Sequence, residues 1–107
     1  MILVKVSRDF TMTPGGRFRK EGPFSGEEFR DNILVSKYRE AVEKDEILIV
    51  DLDDCRRAYP PSFLDEAFGG LAKLIGDKDI ISKLKIVSND EPKLVEDIKK
   101  YIKKNME

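Results

Sequence analysis

The strongest constraint on the fold is a run of four apolar residues, Ile47 to Val50, that is followed at once by Asp51. A short continuous apolar run is typical of a central strand that is covered on both faces and lies parallel to its neighbours. Leu84 to Val87 is a second segment of this kind. Parallel strands need a crossover between them, and this is usually a helix. The sequence therefore predicts an α/β fold.

Amphipathic patterns occupy the positions that such crossovers require. Ser25 with Glu28 three residues later forms a capping box, which predicts a helix beginning there, with an irregularity near Val35-Ser36. A second helix is predicted over 62–76 because apolar residues recur there at intervals of three and four. Ser88, with Glu91 and Pro92 behind it, predicts the start of a third helix.

The N-terminal segment indicates a hairpin. Apolar residues alternate from Met1 to Ser7, a turn signal follows at 13–16, and a second alternation covers 17–19. The expected order is β-β-α-β-α-β-α, a mixed sheet with helices packed on it. A single domain over residues 1–107 is expected, with an N-terminal hairpin at 1–24 and an α/β portion at 25–107.

Composition excludes several functions. The chain has no histidine, so an imidazole base or a histidine metal site is excluded, and its one cysteine cannot form an internal disulfide. No apolar run approaches the roughly 20 residues that a membrane helix needs, and no signal peptide is recognisable. We expect a soluble cytoplasmic protein. Arg56 and Arg57 could lower the pKa of the neighbouring Cys55.

Acidic residues after the Ile47–Val50 run are the best candidates for chemistry. Asp51 and Asp53 could hold Mg²⁺ at the end of a strand, with one of them attacking a phosphate. Residues 47–53 resemble the first motif of haloacid-dehalogenase-like phosphatases, and residues 84–89, with Ser88, resemble the second. That family needs a later lysine and a later pair of acids after further strands, and only 18 residues follow Asn89. This small Mg²⁺-dependent phosphotransfer protein is the alternative interpretation.

Nucleic-acid binding is not expected. The first 25 residues hold five basic and two acidic side chains, interleaved with Phe10, Phe18 and Phe24. The rest of the chain is acidic, the net charge is −1, and a nucleic-acid binder is usually basic overall. A charged hairpin that resists edge-to-edge pairing explains the same residues.

A longer segment supports a family resemblance. The string Pro60-Pro61-Ser62-Phe63-Leu64-Asp65-Glu66-Ala67-Phe68-Gly69-Gly70-Leu71 is similar to the signature of an uncharacterised prokaryotic STAS-like family, related to anti-sigma-factor antagonists. Residues 25–30, with Arg17 and Gly22 upstream, resemble the other recurring segment of that family. The resemblance implies a STAS-like fold in which Asp51 and Ser62 occupy the places of an acid and of a serine that a partner kinase phosphorylates. The relatives carry Asp-Ser-Ser-Gly-Leu-Gly where this chain has residues 60–65.

From these observations we expect a non-enzymatic protein-interaction or regulatory domain, with no catalytic residue, metal or cofactor. The expected partner is another protein, a kinase- or ATPase-type regulator, and Ser62 is the candidate phosphoacceptor. Ser62 is also predicted to cap its helix. Helix starts at Ser25 and Ser88 could accept an anion or a nucleotide phosphate. The residues expected to contact the partner are Arg57, Tyr59, Pro61, Ser62, Phe63, Asp65 and Glu66.

Overall fold

The structure, a computed structural model, describes residues 1–106 and contains a sheet of three parallel strands. These are β1 (Ile2–Lys5), β2 (Leu48–Asp51) and β3 (Leu84–Val87), with β2 in the middle. Ile2 is aligned with Leu48, and Leu48 with Leu84. Since the strands run in one direction, their C-terminal ends meet at one edge of the sheet, here named the carboxyl edge.

Two helical crossovers connect the strands, and each is interrupted by one π-helical turn. The elements of the first are α2 (Gly26–Phe29), the π turn Arg30–Leu34 and α3 (Val35–Glu43). Those of the second are α4 (Pro61–Leu64), the π turn Asp65–Gly69 and α5 (Gly70–Ile75). The irregularity expected near Val35-Ser36 is the first of these turns, a few residues earlier.

The remaining helices are shorter or terminal. They are α1 (Val6–Asp9), a 3₁₀ turn at Arg19–Glu21, α6 (Ile80–Lys83) and the C-terminal α7 (Lys93–Lys104). Helix α7 packs against the second crossover helix, with Leu94, Ile98 and Ile102 buried. None of the helices in residues 1–106 is long and apolar enough to cross a membrane.

The helices cover one face of the sheet and leave the other face open. Val4, Leu48 and Val50 point towards the helices and are at most 1% exposed. Leu3, Ile49 and Lys85, aligned across the three strands, point the opposite way, and Leu3 is 49% exposed. Right-handed crossovers that step in one direction, from β1 to β2 to β3, place both connecting helices on the same side. The expectation that β2 is covered on both faces is therefore wrong.

The hairpin expected at 1–24 is also wrong. Within the described residues β1 is followed by a helical turn and a loop, and the sheet is parallel rather than mixed. The backbone N–H groups of this loop form hydrogen bonds within the segment. The Glu21 carboxylate accepts the N–H groups of Arg17 and Phe18, each at 2.9 Å, and the N–H of Gly26 donates to Gly16 O. These donors are consequently not free to form a ladder with β1.

Candidate functional site

Asp53 holds together the two loops of the carboxyl edge. Its carboxylate accepts the backbone N–H groups of Asn89 and Asp90 at 2.8 and 2.9 Å, and the Asn89 side-chain amide at 3.0 Å. Burial of Asp53 by itself would raise the pKa of this carboxyl, but the three hydrogen bonds outweigh it, so the pKa is lowered. Asp53 therefore fastens the loop after β2 to the turn after β3.

The neighbouring acids are likewise bound to groups of the chain. Asp51 Oδ1 accepts the N–H of Asp53 at 2.9 Å, and Lys5 Nζ lies 2.6 Å from Asp54 Oδ2 and 3.7 Å from Asp51 Oδ2. In residues 1–106, no three acidic or cysteine side chains are grouped as metal ligands. Both oxygens of Asp53 accept amide donors, and the ammonium group of Lys5 lies beside Asp51, so these two carboxylates bind groups of the chain itself.

Tyr59 closes the base of the loop between β2 and α4. Its hydroxyl donates to Leu52 O at 2.9 Å and lies 3.1 Å from Cys55 Sγ, and the residue is 9% exposed. Burial raises the pKa of the Cys55 thiol, although the hydrogen bond with Tyr59 works in the opposite direction. The lowering of this pKa that Arg56 and Arg57 could cause is therefore not found, since desolvation dominates.

Phe63 belongs to the core. It is fully buried, and its ring centroid lies 5.9 Å from that of Phe29 and 5.7 Å from that of Tyr59. Phe10 extends the same cluster. Of the residues expected to contact a partner, Tyr59 and Phe63 thus present little or no side-chain surface in the folded chain.

Asp65 and Glu66 form ion pairs within the chain. Arg17 reaches Asp65 at 3.1 Å and Glu66 at 3.3 Å, and Arg30 also binds Glu66. The two carboxylate side chains are 16% and 17% exposed. Pairs this well covered fix the loop before α2 against the second crossover helix, so both acids are engaged before any partner arrives.

Ser62 does not cap its helix. Helix α4 begins at Pro61 with Pro60 as its N-cap, and no side chain bonds the first turn. Proline is favoured at the first helical position, and that places Ser62 one residue inside the helix. Ser62 is partly exposed, while Pro61 and Arg57 are exposed. Ser25, in contrast, is a true cap that accepts the N–H of Glu28 at 3.1 Å.

The expected start of α7 at Ser88 is likewise displaced. The helix starts at Lys93 after Pro92, and the Ser88 hydroxyl donates to Glu91 O at 2.7 Å. Ser88 therefore closes the turn before the helix.

A cavity of about 380 Å³ lies between the loop after β2 and the turn after β3. Its lining includes the exposed Arg56 and Arg57, neither of which has a carboxylate within 4.0 Å in residues 1–106. A second cavity of about 510 Å³ continues from Arg57 to Pro60 and the loop 13–24. Arg57 thus stands between two concave surfaces beside the start of α4.

Sequence reasoning missed two features of this site. Asp53 is considered only as a metal ligand in the phosphotransfer alternative, whereas its carboxylate joins two loops, and Arg56 is considered only as a neighbour of Cys55. The partners of Asp53 are 36 and 37 residues away, and those of Arg17 are 48 and 49 residues away. No local pattern signals such pairs, because they depend on how the loops meet after the sheet has formed.

A parallel sheet with its helices on one side, and a proline-initiated helix that follows the central strand, make this a small α/β domain. The chain belongs to the STAS-like domain family of unknown function, whose sequence model matches residues 25–94. Domains of this family are generally non-catalytic. Searches of curated proteins and of solved structures found no match.

Proposed function

We propose that this chain is a regulatory domain, without catalytic activity, that binds another protein through a surface formed by Arg57, Pro61 and Ser62, here named the loop surface. The supporting observation is the accessibility of these three residues at the carboxyl edge. Tyr59 and Phe63 are buried in the core, and the carboxylates of Asp65 and Glu66 are paired with arginines of the same chain. The loop surface is therefore what remains of the expected contact set for a partner to bind.

Ser62 is the proposed switch within this surface. It resembles in position the serine that kinases phosphorylate in anti-sigma-factor antagonists, and it is partly exposed on the first turn of α4. A phosphate would add about −1.5 to −2 charges beside an exposed arginine and one turn before Asp65 and Glu66. The charge of the loop surface would change sign, and a partner selected for one state would be released in the other.

The proposed partner is a kinase- or ATPase-type regulator, because the switch needs an enzyme that adds the phosphate. The proposed compartment is the cytoplasm, where a chain with one unpaired cysteine stays reduced. A nucleotide or other anion bound at the carboxyl edge would be a second ligand that regulates the same domain.

Site-specific crosslinking tests this function. A photo-reactive amino acid at position 57 is expected to capture a defined partner in cells, whereas the same group at Lys100, exposed on α7, is not. The partner is then purified, and its affinity is measured for Ser62→Asp and Ser62→Ala. The aspartate variant is expected to lose roughly tenfold or more in affinity, and the alanine variant to keep it. Equal affinities for both folded variants would refute the switch.

A further inference from the structure

The cavity between the loop after β2 and the turn after β3 has the size and position of a small-molecule site. Its volume of about 380 Å³ is within the usual range for ligand pockets, roughly 300–1,000 Å³. It opens at the C-terminal ends of parallel strands, where α/β proteins bind their ligands. Among its walls are the apolar side chains of Leu52, Ala58 and Leu94, together with Tyr59.

The walls are fixed before any ligand arrives. Tyr59 is bonded to Leu52 O at 2.9 Å, and Asp53 ties the two sides of the cavity together through Asn89 and Asp90. Asp54 adds a further link, since its N–H donates to Asp90 Oδ2 at 2.9 Å. A site that needs little ordering on binding loses less affinity to entropy.

The charged groups of the cavity are of two kinds. Arg56 and Arg57 have no carboxylate partner within the described residues, whereas Arg17 and Arg30 are fully engaged elsewhere. Asp90 and Glu91 also line the cavity. A ligand that fits this lining carries an anionic group, which pairs with the guanidinium groups. It also carries hydroxyl or amino groups, which donate hydrogen bonds to the carboxylates.

We propose that this cavity binds a nucleoside monophosphate. The phosphate pairs with Arg56 and Arg57, the ribose hydroxyls or base amino groups donate to Asp90 and Glu91, and the apolar walls hold the base. Inorganic phosphate alone would fill only a small part of the volume and would leave the Glu91 carboxylate without a donor. A longer polyphosphate would bring more negative charge towards those acids. The inference rests on the proposed function in one respect, because the nucleotide is taken to regulate the domain.

Titration of the ¹⁵N-labelled chain tests the assignment. Adenosine, guanosine, cytidine and uridine monophosphates are added separately, with inorganic phosphate and adenosine as matched arms. At least one monophosphate is expected to saturate at millimolar concentration or below and to shift the amide signals of residues 52–59 and 88–94. Inorganic phosphate and adenosine are each expected to bind roughly tenfold more weakly, since each lacks one half of the contacts.

The double variant Arg56→Ala/Arg57→Ala is expected to keep the folded spectrum and lose roughly tenfold or more in affinity. Arg39→Ala removes another exposed arginine, on α3, and is expected to bind like the parent chain. Absence of saturable shifts for all four monophosphates would overturn the proposal. So would equal binding of inorganic phosphate, or equal loss in Arg39→Ala.

The test separates this inference from the proposed function. Partner binding is measured without nucleotide, so a Ser62-dependent partner with no nucleotide binding refutes the nucleotide site alone. Nucleotide binding with no partner at position 57 refutes the interaction function and leaves the site standing.

Discussion

At the scale of single residues, Asp53 is the acid on which the carboxyl edge depends most. Asp53→Ala removes the acceptor of three hydrogen bonds between the loops after β2 and β3. The free energy of unfolding is expected to fall by roughly 1–3 kcal/mol, because backbone donors lose their partner. Asp79→Ala, at an exposed acid whose side chain accepts no hydrogen bond in residues 1–106, is expected to change it by less than about 0.5 kcal/mol. Urea denaturation of both variants measures the difference, and equal losses would contradict the assigned role.

The ionisation of Asp77 makes the free energy of unfolding depend on pH in the acid range. Its hydrogen bonds from Lys83, from the N–H of Asp79 and from Tyr38 lower its pKa to about 2. The unfolded carboxyl titrates near pH 4, so the contribution is complete above that pH and is lost as the pH falls towards 2. Asp77→Asn is expected to be less stable at neutral pH and to lose less between pH 4 and 2. An unchanged acid slope, measured by denaturation at several pH values, would contradict this.

At the scale of elements, two serines that look alike in the sequence differ in their role. Ser25 is buried and caps α2, so Ser25→Ala is expected to lose about 0.5–2 kcal/mol of stability. Ser62 lies inside α4 and caps nothing, so Ser62→Ala is expected to be close to neutral. Thermal or urea unfolding of the two variants compares them directly. A larger loss at Ser62 than at Ser25 would show that α4 begins elsewhere.

Gly26 is required where two helices begin side by side. A Cβ at this position would lie 2.3 Å from Phe63 O, so α2 and α4 could not keep their contact. Gly26→Ala is expected to lose about 1–3 kcal/mol through overpacking. Gly16→Ala is expected to lose less, because its Cβ would approach only the Glu21 carboxylate, at 3.1 Å, which needs to move by only a few tenths of an ångström. Similar losses for the two variants would contradict the close approach.

The helices and the two later strands could be predicted because their signals are local. Ser25 with Glu28, the apolar run Ile47–Val50 and the spacing within 62–76 all lie within a few residues of each other. The predicted start of α4 is one residue too late because Ser62 followed by Asp65 resembles a capping box, although the two prolines before it already fix the first turn. The hairpin was misread because Glu21 bonds the loop backbone that the alternation assigned to a strand.

At the scale of the whole molecule, the open face of the sheet could not be predicted. The apolar run Ile47–Val50 has the composition of a strand buried on both sides, yet Ile47 is 47% exposed, and Leu3 on the neighbouring β1 is 49% exposed. Strand order decides coverage, and no local pattern encodes it. Which of the expected contact residues are accessible could likewise not be predicted, because long-range contacts determine that Phe63, Asp65 and Glu66 face the chain itself.

This open face is the alternative to the loop surface as a binding site for the proposed partner. It presents Leu3, Ile49 and Lys85 in one aligned row. The loop surface instead presents an exposed arginine and a partly exposed serine beside two cavities. The two surfaces are distinguishable residue by residue, because the loop surface lies beyond the C-terminal ends of the strands.

The partner's footprint on the ¹⁵N-labelled chain therefore tests the account most directly. With the purified partner added, the amide signals of the non-proline residues in 54–62 are expected to shift or broaden, and those of Leu3, Ile49 and Lys85 are expected to stay unchanged. In Ser62→Asp the same changes are expected to require roughly tenfold more partner. A footprint centred on Leu3, Ile49 and Lys85, with residues 54–62 unchanged, would contradict the assignment of the binding surface to the carboxyl edge.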